Sequence, residues 1–215
     1  MKGDKRRKNP RVRPSERHRE LAAVSSMFFI ISFLGWCMET VYCSGFFTRF
    51  PDRGFLTLPF CVIYGAPPCI AFLLFGTPGR GRLADAVGKR VREKAANAFW
   101  RFFFYFLLSA ALATLFELVF GALFGAFGVR LWNYRRFPAN YRGYICPQFS
   151  LLWGVLITSF MVLAWPPVFR VVSRLPCKAA AALNLILWLA VFGDFSFNLA
   201  YLIVRGCRFR PGFLP

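Results

Sequence analysis

The chain has 215 residues, is 57% hydrophobic and 19% aromatic, and carries a formal net charge of +19. Its apolar residues gather into five long blocks, not half-buried periods, which excludes an ordinary soluble domain. The basic excess alternates along the chain, with 19 Lys and Arg on one side of the blocks and nine on the other; that is the positive-inside bias of a membrane protein and argues against a nucleic-acid partner.

Residues 1–20 are basic, Pro-containing and free of aromatics, and are expected to form a disordered cytoplasmic tail lying against anionic headgroups. The apolar stretch that follows is too long for a cleaved signal peptide. Leu34-Gly35-Trp36-Cys37 is a poor lipoprotein site, because Trp36 stands where a small residue is needed. About 20 apolar residues cross the hydrocarbon core. Five spans are therefore predicted, at about 22–46, 55–75, 102–127, 145–168 and 180–204. The fold class is all-α: a polytopic membrane domain over 21–204, then a short basic tail at 205–215. The charge count puts the amino terminus inside, in the cytoplasm, and the carboxyl terminus outside.

Span one carries Glu39 in its outer half, and Arg53-Gly54 opens span two. Span three carries Glu117 in its outer half, and Arg142-Gly143 opens span four. The segments RGFLTLPFCVIYG (53–65) and RGYICPQFSLLWG (142–154) match in their Arg-Gly opening, central Phe and aromatic-Gly close. Each half reads as a hairpin, and the two form a possible parallel repeat about an axis along the membrane normal. Span two contains Gly65-Ala66-Pro67-Pro68, which predicts a kink or break. Trp165-Pro166-Pro167 is expected to terminate span four. Gly121 and Gly125 form a GxxxG face, expected to pack on another helix and offering a homodimer contact.

A charge at membrane depth costs about 2.5–3.5 kcal/mol on insertion scales, so it requires a partner or a function. Glu39, Glu117 and Asp194 are the acids within the predicted spans, and Arg53 and Arg142 stand at the mouths of two of them. Two uses remain open. Glu39 with Arg53 and Glu117 with Arg142, or the crossed pairs, would pin the outer ends of the hairpins. Alternatively, the same groups face a cavity for a cationic or zwitterionic substrate, or form a proton relay. Asp194, with Asn198 one turn later on the same face, is either a substrate or coupling contact or a hydrogen-bonded structural acid.

Seven cysteines lie scattered with no CxxC pair, and the one histidine, His18, lies in the basic tail, so no metal site is expected. No P-loop, HExxH or GxSxG sequence occurs, and neither an enzyme activity nor a cofactor is expected.

The chain resembles the putative ABC-transporter permease type IV family. The family's Gly-Trp-x-x-Glu appears as Gly35, Trp36 and Glu39. Its N-R-G-F-L-x-G-P-x-x-P-I-Y-G stretch appears as Asp52, Arg53, Gly54, Phe55 and Leu56, then Pro59, then Ile63, Tyr64 and Gly65; Asp52, Leu58 and Val62 depart from it. Its W-D-Y is Trp132-Asn133-Tyr134, with Asn in place of Asp. An N-x-x-G-x-I-C run is matched by Asn140, Gly143, Ile145 and Cys146, followed by Trp153-Gly154, and Glu117 and Gly121 match as well. These motifs lie between about residues 30 and 155. The resemblance implies a permease-like subunit in the bacterial plasma membrane, working with a separate ATP-binding subunit that docks on inner loops, chiefly 76–98. The alternative is a non-transporting membrane protein, an assembly factor or envelope sensor, in which Glu–Arg pairs are structural.

Overall fold

The computed structural model describes residues 14–44, 54–91 and 93–209. These residues form seven helices and no strands: α1 (Pro14–Ser44), α2 (Val62–Phe75), α3 (Arg82–Arg90), α4 (Lys94–Ala126), α5 (Pro147–Leu163), α6 (Trp165–Val172) and α7 (Cys177–Arg205). The all-α expectation holds. Helix α1 begins at Pro14, inside the segment expected as the amino-terminal tail. Proline suits that first helical position, where its missing N–H would have no intrahelical partner.

Helices α1, α4 and α7 are each long and apolar enough to cross a membrane, and α5 with α6 makes a fourth candidate, bent by 54°. Pro166 and Pro167 sit in the first turn of α6, where proline can start a helix but not continue one. Helix α5 closes at Leu163, five residues before the predicted end of the span, and the chain continues after the bend as α6. The second predicted span, 55–75, is the largest difference. Its helix has only 14 residues, about 21 Å of rise against a hydrocarbon thickness of about 30 Å.

The missing length lies in residues 54–61, which are non-helical and partly buried. Gly54 adopts φ 79°, a left-handed value that glycine tolerates. The Leu58 N–H donates to Asp194 Oδ2 at 2.9 Å, and the Cys61 N–H donates to the Ser32 carbonyl at 3.0 Å. Phe55, Leu56 and Cys61 are buried. Irregular backbone is tolerated at such depth where protein supplies its partners in this way. The break expected at Pro67-Pro68 is not seen, since α2 runs through both prolines. Its packing against α1 holds it: a Cβ on Gly65 would strike Ser32 and the backbone of Phe28.

Contacts fix the directions of the helices. Along α2, Tyr64 meets Glu39 of α1 and Cys69 reaches the Val24 carbonyl, so α2 runs antiparallel to α1. Tyr105, early in α4, donates to the Gly76 carbonyl just beyond α2 at 3.0 Å, while Glu117, later in α4, shares a cavity with Tyr64; α2 is thus antiparallel to α4 as well. Helices α1 and α4 therefore run the same way. Helix α7 follows α1 in the same direction, through Asn184 donating to the Ala22 carbonyl and Trp188 donating to Ser25. Met27, Tyr105, Met161 and Trp165 are almost completely enclosed between the helices. Leu185, Ile186, Leu189 and Phe192 of α7 instead face outward, as a hydrocarbon surround requires.

The Gly121/Gly125 face is covered from within the chain. A Cβ at either position would run into the Tyr144 side chain. The expected homodimer contact is replaced there by a loop of the same chain, because the 127–146 segment folds back over the end of α4.

Candidate functional site

The two in-span glutamates converge. Glu39, five residues before the end of α1, and Glu117, nine before the end of α4, line one cavity of about 360 Å³ between α1, α2, α4 and α5. Proximity in space here follows from the shared direction of the two helices.

Each glutamate is held by aromatic donors. The Tyr64 hydroxyl donates to Glu39 Oε1 at 2.7 Å, and the Cys61 thiol approaches Oε2 at 3.6 Å. Glu117 Oε1 accepts from the Tyr134 hydroxyl at 2.6 Å and from the Trp153 indole at 2.8 Å. Its Oε2 is buried without a hydrogen-bond partner, and the residue is only 6% exposed. Tyr64 and Trp153 touch edge-to-face at 5.5 Å, so the two acids sit at either end of one aromatic bridge. Burial, reinforced by the nearby Glu117 carboxylate, pushes the Tyr134 phenol well above its ordinary range. It remains a protonated donor at neutral pH.

The expected pairing of Glu117 with Arg142 is not seen among the described residues. Arg142 is exposed, its guanidinium 5.5 Å from the Tyr141 ring centre, and Glu117 takes its hydrogen bonds from Tyr134 and Trp153. Arg142 has φ 53° and leads directly into Gly143 at φ 78°, a tight turn that carries the guanidinium away from α4. Arg53, with Asp52, lies outside the described residues. Asp194 and Asn198 are not at the cavity. Asn198 donates to Asp194 Oδ1 at 2.8 Å and to the Thr57 hydroxyl at 3.0 Å, and Asp194 anchors Leu58, so this pair clamps the 54–61 segment to α7.

The motif residues build the walls. Gly35 lets the Tyr64 ring lie on α1, since any Cβ there would overlap it. Trp36, one residue on, lies beside Phe33 with ring centres 6.2 Å apart. Pro59 belongs to the irregular approach to α2. Gly65 rests on Ser32 and Phe28, seven and eleven residues before Glu39; Gly154 rests on Ala110 and Phe106, seven and eleven before Glu117. Trp132 donates its indole N–H to the Tyr144 carbonyl at 2.8 Å and lines the cavity. The Asn140 side chain accepts from the Gly143 N–H at 3.0 Å, closing the turn that returns the chain to α5. Tyr134 was the principal omission from the candidate residues. Its place beside Trp132 in the W-x-Y motif was the available signal, but the sequence spacing gave no indication that it reaches Glu117.

A family model described as putative ABC-transporter type IV matches residues 26–199. The chain belongs to this family. The match runs past the motifs into α7 and takes in Asp194 and Asn198, so the clamp on the irregular segment falls within the shared region. No curated protein and no solved structure matches the chain.

Proposed function

We propose that this ABC-transporter type IV chain is a permease-like membrane subunit whose ligand site is the cavity shared by Glu39 and Glu117, and that it works with a separate ATP-binding subunit. The observation that carries the reading is the cavity itself: two acids from different helices, both within candidate spans, line one apolar chamber. A carboxylate at membrane depth is expensive unless it is used. The chain crosses the membrane five times in this reading, with its amino terminus in the cytoplasm. The common direction of α1 and α4 supports it, because α2 must then return the chain across the bilayer. The matching contacts of Gly65 and Gly154, and of Tyr64 and Trp153 with the two glutamates, support a duplicated hairpin. On the inner side, basic α3 with Arg82, Lys89 and Arg90 packs beside α4 and offers the docking face for the ATPase. The chain carries out no catalytic step of its own.

Affinity purification from native membranes in mild detergent should recover an ATP-binding protein in stoichiometric amount. Recovery of the chain alone would count decisively against the permease reading. The second reading, a non-transporting scaffold, draws on the two donors that already hold Glu117 Oε1. Glu117→Gln separates them: its amide oxygen can still accept from Tyr134 and Trp153, so a scaffold keeps its cellular phenotype, while a ligand site loses it.

A further inference from the structure

Glu117 lines the cavity, and one of its carboxylate oxygens has no hydrogen-bond partner. Its other oxygen takes two hydrogen bonds, while Oε2 has none and the residue is 94% enclosed, from a relative exposure of 6%. A buried acceptor of this kind requires a donor, and an ionised one requires a positive charge as well. The described walls supply neither: no Lys, Arg or His is among them. They supply aromatic surface instead, from Tyr64, Trp132, Tyr134 and Trp153. Such rings stabilise a cation over their faces. The remainder is aliphatic or phenyl, including Leu34, Ile63, Leu156 and Phe160.

A metal ion does not fit this chemistry. Hard divalent cations take about six oxygen ligands, and among the described residues no group of three or more His, Cys, Asp or Glu is placed to hold one. A carboxylate-bearing or phosphorylated ligand would meet two acids and no described base. A volume of about 360 Å³ falls at the small end of ligand pockets, which run from about 300 to 1,000 Å³.

We infer that the cavity binds a small protonated amine with an apolar body, its ammonium N–H donating to the Glu117 carboxylate and its charge resting among the tyrosine and tryptophan rings. This rests on the cavity being the ligand site of the permease reading and adds its chemical class. Glu39 lies across the Tyr64–Trp153 bridge and contributes the second negative charge. Pro67 and Pro68, which also line the chamber, withhold the N–H groups that the Ile63 and Tyr64 carbonyls would meet in an unbroken helix. Those carbonyls add acceptor character to the α2 wall.

The test uses the purified full-length chain in detergent and equilibrium dialysis with radiolabelled phenethylamine. Saturable binding is expected. Phenethyl alcohol, which lacks the charge, hydrocinnamate, which reverses it, and phenethyltrimethylammonium, which lacks the N–H, should each compete at least about tenfold more weakly, the equivalent of one hydrogen bond to a charged group. Glu117→Gln should weaken phenethylamine by a similar factor. The probe series on the unmodified chain decides the matter even if that variant fails to fold. Equal competition by the alcohol or the acid overturns the amine assignment but leaves the cavity as a ligand site. Absence of saturable binding, with an ATP-binding subunit still co-purifying, overturns the assignment while the permease reading survives.

Discussion

Tyr134 and Trp153 converge on a single oxygen of Glu117, so their contributions cannot be independent. Removing Tyr134 alone, as Tyr134→Phe, leaves the indole in place and should cost about 1.5–3 kcal/mol, the range for a hydrogen bond to a charged group. Trp153→Phe should cost more, because it also breaks the contact with Tyr64. The double variant should depart from additivity by about 0.5 kcal/mol or more, since both donors share an acceptor; thermal unfolding of the four proteins in one detergent measures this. Gly154→Leu should be worse than either, for its side chain would occupy the space of Ala110 and Phe106 and separate α5 from α4. The acids themselves were legible in sequence, as they are the rare charges in apolar blocks. Their partners were not. Arginine was the nearest opposite charge along the chain, but Arg142 sits on a turn facing outward, and hydrogen bonds from Tyr64, Tyr134 and Trp153 depend on helix neighbours that no local spacing encodes.

Helix α2 shows the same limit at the level of elements. The sequence carries no charge from Phe55 to Phe75, and nothing in that composition says where helix gives way to extended chain. The start at Val62 is set by tertiary hydrogen bonds: Cys61 to Ser32 of α1, and Leu58 to Asp194 of α7. Asp194 is therefore expected to act on 54–61 at a distance in sequence. Asp194→Asn keeps an oxygen that can accept from the Leu58 N–H and should be mild. Asp194→Leu removes the acceptor and leaves the Leu58 N–H buried without a partner, at a cost of about 1–3 kcal/mol. Hydrogen–deuterium exchange followed by mass spectrometry should show faster exchange over 54–61 in Asp194→Leu, with α4 and α5 unchanged. Uniform acceleration across all helices would mean the clamp supports the whole bundle and not this segment. The long helices were easier to read, since α1, α4 and α7 each stand on a block whose length alone requires a span.

The whole molecule poses a question of parity. By length and composition there are three candidate spans, or four with the bent pair, and an even count would return both termini to one side. The internal directions argue for an odd count. Glu39 and Glu117 both lie toward the carboxyl ends of their helices and line one cavity, so α1 and α4 leave the membrane on the same face. Between them the described residues offer only α2, α3 and their connections with which to return, and α2 runs back alongside both. Eight residues of irregular chain at 54–61 add reach to its 14 helical residues, so a crossing needs no longer helix where the protein itself pairs the exposed backbone. With α2 as a crossing, as proposed, the termini of the helical bundle lie on opposite sides. In the proposed orientation Cys177 opens α7 on the inner face, and Cys207 is exposed just beyond its other end. In a variant retaining only Cys207, a membrane-impermeant maleimide added to intact cells should label the chain. In one retaining only Cys177, labelling should require permeabilisation. Should Cys207 react only after permeabilisation while Cys177 reacts from outside, the orientation is inverted but the count stands. Both reacting from one side would remove α2 as a crossing, and with it the parallel arrangement that brings the two glutamates together.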